Sequence, residues 1–227
     1  MPQTNANPAL NGLFIEIDST GIKMTATDGH RLAQVSSNHY HLDEAKSWLL
    51  PRRAILEVKK LVDATQGPIF LGVCASQVVF SNDSFNFFCT MLADPFPQYK
   101  HILDKTSFMP ATVDRNHLVK TLRRSACLLS GQFIATQFTF SPAKLLVSIH
   151  NKEVGRLEEE LPVHGFKGEM GVRFYAPYLL SGVQALDDET VQFYLKESTK
   201  PIIFESESEK FKVTYLVMPV SPTAGMQ

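Results

Sequence analysis

The sequence predicts two α+β domains of the same kind, laid end to end along 227 residues. Three observations carry this. Apolar residues alternate with period two in paired stretches, the mark of β-hairpins with one buried face. The alternation gives way to i, i+3, i+4 spacing, the mark of an amphipathic helix. The whole order of hairpin, helix and three strands then occurs a second time, roughly 120–125 residues further on, a separation the size of one domain.

In the first copy, "GLFIEIDSTGIKMTATDGHRLAQVSS" alternates Leu13, Ile15 and Ile17, turns at Ser19-Thr20-Gly21, and alternates again at Ile22, Met24 and Ala26. Asp28-Gly29 reads as a further turn, after which "RLAQVSS" resumes strand character. A helix is predicted from Arg52 to about Asp63, with Ile55, Val58, Leu61 and Val62 on its apolar face, followed by three strands ending at Leu92. Pro95 and Pro97 open a linker over Phe96–Thr106. The second copy adds a strand "SFMPATV" and a helix "RNHLVKTLRRSACLL" before its hairpin. That hairpin alternates Phe138 and Phe140, turns at Ser141-Pro142, and resumes at Leu145, Val147 and Ile149. A helix from Pro177 to about Leu186 follows, with Leu179, Leu180, Val183 and Leu186 inward, and then three strands ending near Met218. A proline near each helix start suits the first turn. The domains are therefore expected at 1–105 and 106–227. Only "MPQTNANPAL" precedes the first hairpin, so the first domain is expected to lack one strand and one helix. Apolar surface would then be bare unless a partner covers it.

Composition bounds the function classes. Hydrophobic residues make up 44% and charged residues 20%, as in ordinary soluble globular proteins. The formal net charge of −1 creates no global field toward nucleic acid or membrane, so such a surface would need local segregation of charge. Cys74, Cys89 and Cys127 form no CxxC pair and read as reduced thiols of a cytoplasmic protein. No secretory signal is apparent, and no apolar run reaches the ~18 residues of a membrane span.

Asp28, Gly29, His30 and Arg31 resemble a catalytic cluster, in which Asp28 would orient His30 as a general base. No nucleophile elbow or activated cysteine accompanies them, so a hydrolase using Asp28 and His30 is the rival from another class. His39 and His41 share a face of an extended segment without a third ligand at metal-site spacing, and no Gly-rich phosphate loop occurs. Neither catalytic residues, metal nor cofactor are expected.

"ATDGHRLA" after a hairpin, then "LLPRRAILEVKKLV", "ADPFPQYKHIL" and "YLVMPV", in that order, resemble the bacterial β sliding clamp family, the processivity subunit of the replicative DNA polymerase. The match runs from about Leu10 to Val220 and corresponds to the second and third of the family's three domains. The resemblance implies the DNA-clamp fold, an α+β class of repeated domains with helices on one face and antiparallel sheets on the other. It implies no catalysis, double-stranded DNA encircled without sequence preference, and docking of replicative polymerase, clamp loader, and repair and translesion polymerases. It places a peptide-binding cleft at Leu10, Thr27, Gly29, His30, Arg31, Leu32, Pro97, His101, Ile102, Tyr178, Val217, Met218, Pro219 and Val220. Leu128 and Leu129 match the subunit seam.

Charge follows the same division. Arg52, Arg53, Lys59 and Lys60 fall on one predicted helix, and Arg115, Lys120, Arg123 and Arg124 on another. Of these, Arg52, Arg53, Lys120, Arg123 and Arg124 are the candidates to face DNA. Glu158, Glu159, Glu160, Glu205, Glu207 and Glu209 fall on strands and loops. Three departures stand out. Asn7-Pro8-Ala9 replaces the family's arginine and two aromatics, and His101 replaces an arginine. The tail Ser221–Gln227 extends past the usual end and is expected to cover part of the cleft. With no first domain, the chain reads as a fragment, a natural short form or a paralogue that sequesters partners. A six-domain ring would need a trimer, and the isolated chain is expected to be mostly monomeric or weakly self-associated.

Overall fold

The computed structural model describes residues 1, 5–129 and 135–220. The chain divides into two compact units, Met1–Tyr99 with Glu209–Phe211, and Lys100–Ser208 with Lys212 onward. The division falls after Tyr99, not after Lys105. The stretch read as a linker is split between the units: Phe96 and Tyr99 are buried in the first, while Lys105 Nζ donates to Glu205 Oε2 at 2.5 Å in the second.

The first unit begins with a 3₁₀ turn, Pro8–Asn11, whose N-cap Asn7 accepts from the Ala9 N–H. Then come β1 (Gly12–Asp18), β2 (Gly21–Thr27), β3 (Arg31–Ser37) and β4 (Lys46–Pro51). These form an antiparallel sheet in the order β4-β1-β2-β3. The β1–β2 turn is fixed at both ends. Asp18 Oδ1 accepts from the Thr20 N–H (2.7 Å) and hydroxyl (2.5 Å), and Gly21 sits at φ 144° where a Cβ would lie 2.3 Å from the Ser37 carbonyl oxygen. Helix α1 (Arg52–Ala64) follows, then a second sheet of β5 (Phe70–Cys74), β6 (Gln77–Asn82) and β7 (Phe85–Thr90). Ile15, Ile17, Trp48, Leu50, Ala54, Val78 and Cys89 form the core between α1 and the two sheets. The β1–β2 sheet is covered on its other face too. Phe96 stacks on Phe14 at 4.8 Å between centroids, and the Thr25 hydroxyl donates to the Tyr99 hydroxyl at 3.1 Å.

Met24 departs from the expected alternation. It lies opposite Ile15 and Val35, yet both Met24 and Val35 are exposed. Helix α1 packs on β4 and β1, and this unit has one α-helix among its described residues.

The second unit has β8 (Met109–Asp114), α2 (Arg115–Cys127), β9 (Thr136–Phe140), β10 (Lys144–Asn151), β11 (Gly155–Pro162), β12 (Met170–Phe174), α3 (Ala176–Val183), β13 (Thr190–Leu195), β14 (Ile202–Glu207) and β15 (Lys212–Val217). Its strands order as β11-β10-β9-β12 and as β15-β14-β13-β8. Helix α2 packs on α3 and touches both sheets, at β10 and β11 and at β8 and β13. Phe138, Phe140, Phe174, Phe193 and Phe204 are fully buried here, each worth about 1.5–3 kcal/mol relative to exposure. Asp114 caps α2 by accepting from the His117 N–H at 2.6 Å. Helix α3 approaches β14 and β15 closely at Gly182, where a Cβ would meet Tyr215 at 2.5 Å and Phe204 at 2.6 Å. It ends at Val183 instead of Leu186, although Leu186 is buried all the same. Strands β4 and β12 are absent from the sequence reading. They are short runs leading straight into helices, and their alternation is too brief to register.

Candidate functional site

The cluster that looked catalytic is a turn. Residues Asp28–His30 connect β2 to β3, and Thr27 pairs with Leu32 across them. Asp28 Oδ1 accepts the backbone N–H of His30 and of Arg31, both at 3.0 Å, and Oδ2 accepts Arg31 Nε at 2.9 Å. Thr27 Oγ1 donates to the Arg31 carbonyl (2.7 Å) and accepts the Gly29 N–H (3.1 Å), while Gly29 takes φ 91°. Burial opposes ionisation of Asp28, but the Arg31 side chain and the two N–H donors outweigh it and lower its pKa. The aspartate thus holds a three-residue loop and presents His30, which is exposed, and Arg31, which is half-buried, at its tip.

Two more elements of the first unit carry cleft candidates. Leu10 is half-buried on the 3₁₀ turn, its N–H donating to the Asn7 carbonyl at 3.1 Å. Pro97 is exposed between Phe96 and Tyr99, both anchored on the sheet. Tyr99 is the stronger anchor: its hydroxyl donates to Glu16 Oε2 and accepts from Gln34 Nε2 at 3.0 Å. Burial, then the bond to Glu16, pushes the phenol up to about 12. Tyr99 escaped the sequence reading. The signal available was a tyrosine two residues beyond a proline in "PFPQY", next to alternating strands with a lone glutamate.

In the second unit, His101 (exposed) and Ile102 (half-buried) lie on a 3₁₀ turn, Lys100–Leu103. Tyr178, half-buried on α3, meets Tyr175 edge-on at 4.9 Å. Val217 ends β15, and Met218 is 37% exposed just beyond it. Pro219 and Val220 are half-buried, and the Val220 N–H donates to the Arg173 carbonyl at 2.8 Å. Helix α3 packs on β15, and the Ser181 and Tyr215 hydroxyls are 3.1 Å apart, so Tyr178 and the β15 terminus belong to one packed corner. Leu32 and Val217 are 1% and 0% exposed, whereas Met218 is an exposed large hydrophobic residue. The tail Ser221–Gln227 lies outside the described residues.

The basic helices are less free than their sequence suggests. Arg53, Lys120 and Arg123 are exposed without an ion-pair partner among the described residues. Arg124 is committed elsewhere: its Nε and Nη2 donate to Glu159 at 2.5 and 2.6 Å, and the Thr121 hydroxyl donates to Glu159 Oε2 at 2.6 Å. Lys59 pairs with Asp63, Lys60 with Glu57, and Arg115 Nε donates to the Val183 carbonyl. At the C-terminal end of α2, the buried Asn151 donates to the Leu128 carbonyl at 2.7 Å, fixing the half-buried Leu128–Leu129 segment. Among the described residues, no group of three or more His, Cys, Asp or Glu is arranged to hold a metal ion, and no helix is long and apolar enough to cross a membrane.

Residues 1–98 match the family model for the DNA polymerase III beta subunit, central domain, and residues 100–221 that for its C-terminal domain. The beta sliding clamp of Pseudomonas aeruginosa is 26% identical over 97% of this chain and 60% of its own length. That of Escherichia coli K12 is 26% identical over 93% of this chain and 57% of its own. Among solved structures, the Pseudomonas aeruginosa sliding clamp matches with a TM-score of 0.90, 26% identity, and coverage of 97% of this chain and 61% of its own. A clamp of that organism bound to griselimycin matches at 0.89 and 25% identity, covering 97% of this chain and 60% of its own. This chain therefore spans about 60% of the length of the relatives it matches.

Proposed function

Because the chain belongs to the DNA polymerase III beta subunit family, we propose that it serves as a DNA polymerase processivity factor. In this reading it is non-catalytic and docks short clamp-binding peptides of replicative polymerase, clamp loader and repair proteins. The docking residues are Leu10, the Thr27–Leu32 turn, Pro97, His101, Ile102, Tyr178 and Val217–Val220. The observation that carries the reading is the match of both family domains, in order, along nearly the whole chain. The local chemistry supports it. A rigid polar turn presenting His30 and Arg31, and an exposed Met218 beside a tyrosine-lined corner, suit a peptide with one or two large apolar anchors. Each anchor contributes about 1.5–3 kcal/mol, which puts affinity in the micromolar range and keeps partners exchangeable.

Titration of a fluorescent peptide bearing a polymerase clamp-binding motif tests this. Met218→Ala is expected to weaken binding at least tenfold, about 1.4 kcal/mol. Unchanged affinity would sink the assignment. DNA encirclement is the second part of the proposal, carried by Arg52, Arg53, Lys120 and Arg123, which would neutralise phosphates without reading sequence. The engagement of Arg124 by Glu159 favours a second reading, in which a short clamp sequesters partners without loading on DNA. Loader-dependent retention on circular DNA separates the two, since a sequestering protein is not retained.

A further inference from the structure

Each unit carries the same four-stranded motif, and the two outer faces differ in what lies on them. In the first, β4-β1-β2-β3 aligns Leu49, Phe14, Thr25 and Gln34 in one row. In the second, β12-β9-β10-β11 aligns Arg173, Gln137, Ser148 and Glu158. Leu49 and Arg173 each stand three residues before a helix. Each of their carbonyls accepts a backbone N–H at 2.8 Å from just past the last strand of its own unit, Leu92 in one and Val220 in the other. The rows therefore correspond residue for residue. In the first unit a stretch of chain lies across the row: Phe96 stacks on Phe14, and the Tyr99 hydroxyl meets Thr25 and Gln34. In the second the same place is a hollow of about 560 Å³. Small Ser148 lies at its centre, between Gln137 and Glu158, with Arg173 beyond and the facing pair His150 and Arg156 one row along. The buried Leu49 and Leu32 of the first unit thus have Arg173 and Arg156 as their counterparts. Ser148, His150, Arg156 and Glu158 make no side-chain hydrogen bond or ion pair among the described residues.

We propose that this hollow binds an extended acidic peptide segment of a partner protein, laid across the sheet as Phe96–Tyr99 is laid across its counterpart. Charge complementarity selects the occupant. Arg173 on β12 and Arg156 on β11 stand at the two ends of the crossing, and a guanidinium takes a carboxylate through two parallel N–H bonds. Three strand spacings separate them, about 14 Å, which an extended chain covers in about four residues. Glu158 between them disfavours a compact polyanion and suits a ligand whose negative charges are apart, with a donor in the middle. A hydroxyl-bearing side chain fits there, meeting Ser148 and Glu158 as Tyr99 meets Thr25 and Gln34. The chain's own tail, Ser221–Gln227, follows Val220 but contains no aspartate or glutamate side chain, so its side chains answer neither arginine. The inference is independent of the proposed docking cleft, none of whose residues lines the hollow.

Amide NMR of the isotope-labelled full chain, titrated with acetyl-Glu-Gln-Ser-Tyr-Glu-amide at low salt, tests this. Two exposed charged contacts give a dissociation constant near 1 mM, by order of magnitude. The amides of Gln137, Ser148, Glu158 and Arg173 are expected to shift together, and the shifts to fade in about 0.5 M salt. Arg156→Ala and Arg173→Ala are each expected to weaken binding about fivefold with the circular dichroism unchanged. Arg156→Glu, at an exposed position, is expected to abolish it. The same peptide with glutamine at both ends serves as the control. No shift at these amides, the outcome were the tail already in place, overturns the proposal. So does equal binding of the glutamine peptide, binding that survives Arg156→Glu, or shifts confined to the basic helices α1 and α2.

Discussion

Tyr99 ties the segment carrying Pro97 to a sheet through Glu16, Thr25 and Gln34, and its replacement by phenylalanine leaves a half-buried carboxylate short of a donor. Urea unfolding at pH 7 is expected to show a loss of about 1–2 kcal/mol for Tyr99→Phe. The raised phenol pKa also gives a sign. Its contribution is fully present below the unfolded value near 10 and is lost as pH rises through about 12. Stability of the wild type measured from pH 9 upward should fall more steeply than that of Tyr99→Phe, and parallel curves would contradict the network. Glu159 behaves in the opposite sense. Arg124 lowers its pKa, so its contribution is present above the ordinary glutamate value near 4.5 and is lost on acidification below it. That pair is half exposed on the arginine side, and Glu159→Gln should cost no more than about 1 kcal/mol. At this scale the sequence was legible where partners are local. Asp28-Gly29 read as a turn because the aspartate serves His30 and Arg31, two and three residues on. Glu159 and Arg124 lie 35 residues apart, and no spacing rule anticipates their meeting.

Elements were legible in proportion to their length and regularity. Helix α1 and the long hairpins stand where periodicity puts them, whereas β4 and β12 were hidden by the helices they lead into. Burial was harder to read than strand identity. Met24 alternates like a core residue, but its face is covered only if a helix lies over it, and that is settled outside the strand. Capping and close packing make two predictions here. Asp114→Ala removes the acceptor at the start of α2 and should cost about 1 kcal/mol in chemical unfolding. Gly182→Ala forces a methyl into the rings of Tyr215 and Phe204 and should cost about 1–3 kcal/mol, with a rise in stability counting against the described packing.

For the whole molecule, the repeat was visible because both copies keep the same order of strands and helix, and the family resemblance rests on four motifs in order along the chain. The residues proposed for docking were not visible from periodicity: Val217 and Met218 read as ordinary strand core, and by burial Val217 and Leu32 are core. Among the described residues the two units differ in cover: two α-helices serve the second, one the first. Amide hydrogen exchange should therefore be faster in β5–β7 than in β9–β12, and the reverse order would contradict this difference in cover. Trp48 adds an optical consequence. It is the single tryptophan of the chain and sits in the first unit's core, so indole fluorescence is blind to the second. Dichroism at 222 nm averages over both. Melting curves recorded by the two signals will superimpose only if the units fail together, and any gap between them dates the first unit's collapse separately, without a label or an added chromophore.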